Sequence, residues 1–168
     1  MRTLVDEEVP VHYGQIYVES EVEDADLDAC FAEQSNGLCG AAEPGILFLI
    51  TGLHTGDVGF TIELHDQAPP LDETWEEIVE ASYRPVGDVA LVFWSGDDAR
   101  SLDLREIDYR VRYCAVGMDA AREQDTRMDD EPLVDRYLLQ FWPAPPAPDR
   151  ILKRTSEIAD YWHGAAGN

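Results

Sequence analysis

The stretch that decides the fold class runs from Asp108 to Gly117 and reads DYRVRYCAVG. Tyr109, Val111 and Tyr113 fall on one side and Arg110, Arg112 and Cys114 on the other, the period of two that a pleated strand imposes. One face belongs to a core. The other carries two cations in a strongly acidic chain, so its arginines are expected to meet carboxylates on neighbouring strands rather than an anionic ligand.

Upstream of that strand, Asp88 to Trp94 (DVALVFW) is nearly continuous in apolar character and reads as another strand. Residues 95–100 (SGDDAR) read as a hairpin turn into Ser101 to Leu104. Residues 74–84 fit both a short helix, through Trp75, Ile78, Val79 and Ser82, and a strand, through Trp75, Glu77, Val79, Ala81 and Tyr83; the flanking prolines favour strand. Earlier still, Ile46 to Ile50 is a short apolar run bounded by glycines, hence a buried central strand. Val58, Phe60, Ile62 and Leu64 alternate with polar neighbours, and these two segments are expected to form a hairpin. Val9 to Glu19 reads as a first strand and Ser35 to Gly40 (SNGLCG) as a turn. Downstream, residues 118–130 are a polar excursion opening in a short helix, and Leu133 to Trp142 is a central strand with both faces covered. PAPPAPD follows as a polyproline II spacer, with Asp149 as the expected N-cap of a helix through Trp162. Ile151, Thr155, Ile158, Ala159 and Trp162 form its docking stripe.

These readings add up to an all-β chain: an antiparallel two-sheet β-sandwich with a C-terminal α-helix. The sandwich is placed at residues 1–142, a Pro-rich spacer at 143–149, and the helix, docked on the same domain, at 150–168. A chain of 168 residues is the size of one ordinary domain. Its start, MRTLVDEEVP, has no apolar h-region, and the three cysteines, Cys30, Cys39 and Cys114, are spaced irregularly. A soluble, cytoplasmic protein with reduced thiols is expected.

Charge is the most informative global feature. The chain carries 35 acids against 12 cations, a net charge of −23. Residues 1–83 hold 19 of the acids and one cation, Arg2, whereas residues 84–168 hold 16 acids and 11 cations. Such a field repels nucleic acid and anionic lipid and steers a basic protein toward the N-terminal half. Glu21, Glu23, Asp24, Asp26 and Asp28 form a run of like charge that must be solvated or engaged by a partner. With Asp57 and Asp66 they are the candidate partner-binding residues.

Other chemistries have weaker support. Cys30, Cys39, His54, His65 and Cys114 are soft ligands, but no Cys-x-x-Cys or His-x-x-x-His pre-positions a pair, so neither a metal nor another cofactor is expected. The acids from Glu21 to Asp28 lack the glycine and terminal Glu of an EF-hand loop. An enzyme using Cys30 or His54 needs tertiary proximity, and the acidic surroundings of Cys30 raise its pKa. A small-molecule or metal-binding sandwich is the main alternative to a binding protein.

The order Tyr13-Gly-Gln15, DVALVFW, SLDLREIDYRVRYC and Val134-Asp-Arg-Tyr-Leu-Leu139 resembles that of the competence nuclease inhibitor (ComJ) family, small acidic proteins that bind and silence a DNA-entry nuclease. The resemblance covers residues 11–17 and 88–139. SNGLCG, the loop after Ile50 and the Pro-rich tail have no counterpart in it. It implies a non-enzymatic inhibitor whose partner is a basic protein, a nuclease or toxin, with carboxylates standing in for a nucleic-acid backbone.

Overall fold

The structure, a computed structural model, describes residues 1–93 and 99–166. Eleven strands join in one curled, mixed sheet with the path β11-β6-β9-β10-β5-β1-β2-β4-β3, and β7 extends from β2 to β8. The strands are β1 Arg2–His12, β2 Gln15–Glu19, β3 Cys39–Gly40, β4 Ile46–Ile50, β5 Thr55–Leu64, β6 Glu77–Tyr83, β7 Val89–Val92, β8 Ala99–Leu102, β9 Tyr109–Val116, β10 Arg136–Pro143 and β11 Arg150–Lys153. Two helices, α1 Met118–Gln124 and α2 Glu157–Ala166, complete the order. No helix among the described residues is long and apolar enough to cross a membrane.

The antiparallel two-sheet sandwich is therefore corrected to a single sheet that bends back on itself. β1 and β2 share one register pair, His12 opposite Gln15, after which β7 takes the place beside β2 that β1 leaves. The two ends of the path approach each other, β3 meeting β6. The sheet is mixed because β10 runs parallel to β5, with Phe60 opposite Tyr137, and antiparallel to β9.

The organising strand behaves as its period requires. Tyr109, Val111 and Tyr113 are buried in the core with Phe60, Tyr137 and Phe141. Tyrosine hydroxyls also cross the interior and tie the two arms together: Tyr83 Oη donates to the Gly45 carbonyl at 2.9 Å and Tyr113 Oη to that of Ile50 at 2.9 Å. Tyr137 Oη accepts from Gly52 N–H at 2.7 Å and donates to Asp135 Oδ2 at 2.6 Å. Buried hydroxyls need such partners, and here the opposite arm of the curled sheet supplies them.

The opposite face of β9 holds the expected ion pairs. Glu80 on β6, 3% exposed, receives Arg112 Nε at 3.0 Å, Arg150 Nε at 3.3 Å and Arg110 Nε at 3.5 Å. Other guanidinium donors go to proline-rich backbone. Arg110 donates to the Ala147 and Pro148 carbonyls and Arg112 to that of Pro69, with the Arg112 guanidinium 5.1 Å from the Trp142 ring centre. Segments 69–70 and 143–149 thus cover this face. Prolines present carbonyls without competing N–H groups, which suits a donor-rich guanidinium.

Several local expectations change. Val9 to Glu19 is a hairpin, broken at Tyr13 and Gly14 with φ of 56° and 64°, the left-handed pair that a two-residue hairpin loop needs. β4 and β5 do not form a hairpin: β4 lies between β2 and β3, and β5 between β1 and β10. Residues 150–153 are strand β11 rather than helix, because they pair with the free edge of β6. The helix N-cap is Ser156, whose Oγ accepts from Ala159 N–H at 3.2 Å, while Asp119 accepts from the N–H groups of Glu157 and Ile158. Asp149 instead ties down the SNGLCG turn, accepting from the N–H groups of Ser35 and Asn36 and from Asn36 Nδ2. Residues 77–83 are strand, as favoured. Trp94 and the turn at 95–98 lie outside the described residues.

Candidate functional site

The acidic run leaves the end of β2 and lies between the start of β4 and the start of β7. Ser20 anchors it: its Oγ donates to the Gly45 carbonyl at 2.8 Å and accepts from Val86 N–H at 3.0 Å, while Glu21 N–H donates to the Val86 carbonyl at 2.7 Å. Two of the five carboxylates shape the backbone. Glu21 Oε2 accepts from Asp88 N–H at 3.0 Å beside Gly87, whose φ of +71° and lack of a Cβ make room for that carboxylate. Asp26 accepts from Asp28 N–H at 3.1 Å and so caps a 3₁₀ turn over Leu27–Ala29. All five are exposed, and among the described residues none is in an ion pair.

That lack of pairing contrasts with the acids of β1. Arg100 holds Glu7 at 2.9 Å and Arg127 holds Glu8 at 2.6 Å. Asp57 and Asp66 do not join the run. Asp57 lies near the start of the ten-residue β5 and Asp66 just past its end, roughly 30 Å apart by strand rise. The Asp57 carbonyl accepts from Arg127 Nη1, and Asp66 borders a separate cavity with Arg2, His65, Asp103 and Arg105.

The groups behind the enzyme and metal readings do not converge: Cys30 and Cys39 lie near each other, but neither histidine joins them. Cys30 is buried against Gly40, and burial, reinforced by Glu43, Asp26 and Asp28, pushes its thiol up to about 11. Burial also pushes Cys39 and Cys114 up to about 12. His54 lies elsewhere, with Nδ1 2.8 Å from Thr55 Oγ1 and its ring against Tyr13 and His12. His65 Nε2 contacts Glu63 at 2.9 Å. Among the described residues no three His, Cys, Asp or Glu side chains gather in a metal-binding arrangement.

Beside the acidic run is a feature that sequence reasoning missed. A groove of about 250 Å³ opens between the 3₁₀ turn, β4 and α2, walled by Leu27, Phe31, Phe48, Trp162 and Ala166, with Asp28 at its edge. Trp162, expected in the docking stripe of the helix, is half-buried and forms one wall. No sequence period announces this groove, because its walls come from three distant segments.

The fold so described resembles that of two solved structures, one of them ComJ, whose family the sequence pattern also resembles. The crystal structure of ComJ from Bacillus subtilis, an inhibitor of the DNA-degrading activity of NucA, matches with a TM-score of 0.54 and 14% identity, over 85% of this chain and 98% of that one. A chain described as crocagin biosynthetic gene J matches with a TM-score of 0.54 and 12% identity, over 86% of this chain and all of that one. No protein-family model and no curated protein matches the chain. At these identities the likeness is one of fold.

Proposed function

We propose that this protein is a non-enzymatic inhibitor that binds a basic protein, a nuclease or toxin, through the exposed carboxylates of Glu21, Glu23, Asp24, Asp26 and Asp28. The observation that carries the reading is the distribution of cations. Arginines are drawn to Glu7, Glu8 and Glu80, yet among the described residues none pairs with the 21–28 segment, in a chain of net charge −23. Unneutralised carboxylates on a surface of one sign attract the lysines and arginines that otherwise hold phosphate, and the same field disfavours nucleic acid and anionic lipid as partners. The likeness to ComJ, an inhibitor of a DNA-degrading activity, supports the inhibitory form. Asp57 and Asp66 contribute to the long-range field rather than to the same contact.

The test is kinetic. Raising ionic strength from about 0.01 to 0.15 M shortens the screening length from about 30 to 8 Å, so association with a cationic nuclease encoded beside the gene should slow by about tenfold or more. Dissociation should change less. Replacing the five acids by their amides should slow association at low salt and flatten the salt dependence. A partner whose affinity ignores both salt and the five amides would exclude this mechanism.

A further inference from the structure

Charge alone attracts a partner without fixing its register, and the groove beside the acidic segment offers a way to do so. We infer that this groove receives a single apolar side chain of the partner, presented next to lysine or arginine; the inference rests on the proposed binding of a basic protein and names the segment recognised.

Three observations converge. The groove is built from Leu27, Phe31, Phe48, Trp162 and Ala166, and Phe31 and Phe48 pack edge to face at 5.5 Å, so two of its aromatic walls are held in place. Its volume of about 250 Å³ lies below the range of about 300–1,000 Å³ usual for small-molecule sites, which fits one side chain better than a whole ligand. Among the described residues the only charged one lining it is Asp28, and Asp26, two residues away, caps the same 3₁₀ turn. An apolar wall beside an acidic rim is complementary to an apolar residue flanked by cations, and a buried anchor ringed by polar contacts is how interfaces concentrate their affinity.

The far wall is rigid too. Helix α2 is pressed onto the SNGLCG turn so closely that a Cβ at Gly37 would collide with the Trp162 carbonyl. His163, 4% exposed, accepts from Gly37 N–H through Nδ1 at 2.9 Å. The stretch of α2 that carries Trp162 is therefore held against the turn, and an occupant loses little to reorganisation of the helix backbone.

Titrating the ¹⁵N-labelled full chain with an amidated Arg-Lys-Leu-Arg-Lys peptide, and with the same peptide carrying Ala at its centre, tests this by NMR. The expected result is shifts at Leu27, Phe31, Phe48 and the Trp162 indole, with binding at least about tenfold weaker for the Ala-centred peptide. Leu27→Glu, which adds negative charge while spoiling the apolar wall, should weaken the Leu-centred peptide to the level of the Ala-centred one. Shifts confined to residues 21–28, equal for both peptides, would overturn the groove and leave electrostatic docking standing. An absence of shifts anywhere would overturn both.

Discussion

Glu80 and the 21–28 segment are two answers to one problem, how a chain with 35 acids and 12 cations places its charge. Glu80 lies inside the covered outer face of β6 and β9 with three arginines around it. The 21–28 carboxylates lie in solvent, and among the described residues no arginine pairs with them. Burial makes a carboxylate and its cations depend on one another, whereas water leaves each exposed carboxylate nearly independent of its surroundings. The first arrangement therefore belongs to stability, and the second is the one proposed above for recognition.

The largest effect is expected at Glu80. Glu80→Ala leaves Arg110 and Arg112 buried without their carboxylate and should cost about 3–5 kcal/mol in urea unfolding. A loss under about 1 kcal/mol would mean that water already reaches both guanidinium groups, and the contrast would collapse.

Asp135 is a third kind of carboxylate, fully buried yet in no ion pair among the described residues. It accepts from Tyr137 Oη, its Oδ1 meets no close hydrogen-bond donor among the described residues, and desolvation pushes its pKa up to about 6, against the pull of the Tyr137 hydroxyl, nearby backbone N–H groups and Arg127. A folded-state pKa above the unfolded value near 4 means that the folded protein binds the proton more tightly. The penalty is therefore present at neutral pH and relieved as pH falls from about 6 to about 4. Asp135→Asn should raise stability by about 1–3 kcal/mol at pH 7, with the gain over the parent shrinking across that window. A gain that persists unchanged at about pH 4 would show that ionisation of Asp135 is not its cause.

The smallest effect is expected at the exposed segment. Converting Glu21, Glu23, Asp24, Asp26 and Asp28 to amides should move stability by no more than about 0.5 kcal/mol, since an amide oxygen at positions 21 and 26 still accepts the backbone hydrogen bonds made there. A large loss of melting temperature would show that the segment is part of the scaffold.

What the sequence made legible follows interaction range. The two-residue period of β9 announced both its core face and its buried ion pairs, because alternation is a local signal that burial enforces. The strand character of 77–83 and the central position of β10 were readable for the same reason. Partner choice was not: nothing in residues 55–64 says that β5 pairs with β1 and a parallel β10 rather than with nearby β4. The break at Tyr13 was hidden because apolar residues on both faces made β1 and β2 look continuous, and tyrosine is an uncommon choice for a left-handed turn position. Asp149 looked like a helix cap from its neighbours, but its hydrogen bonds go to Ser35 and Asn36, far away in the chain. At the candidate site the carboxylates were evident from composition, while the groove beside them exists only once β4 and α2 have come together.

The pairing of β5 with β10 also governs how the molecule assembles in time. Its ladder joins Phe60 to Tyr137, and β6 waits likewise for β11, so the sheet closes through distant contacts whose loop entropy must be overcome first. Refolding in milliseconds to seconds is expected, and a dominant microsecond phase would contradict it. During synthesis, at about 5–20 residues per second, β5 emerges several seconds before its parallel neighbour. Throughout that interval the N-terminal half carries 19 acids and one cation, and mutual repulsion keeps its unpaired strand edges from joining those of other nascent chains.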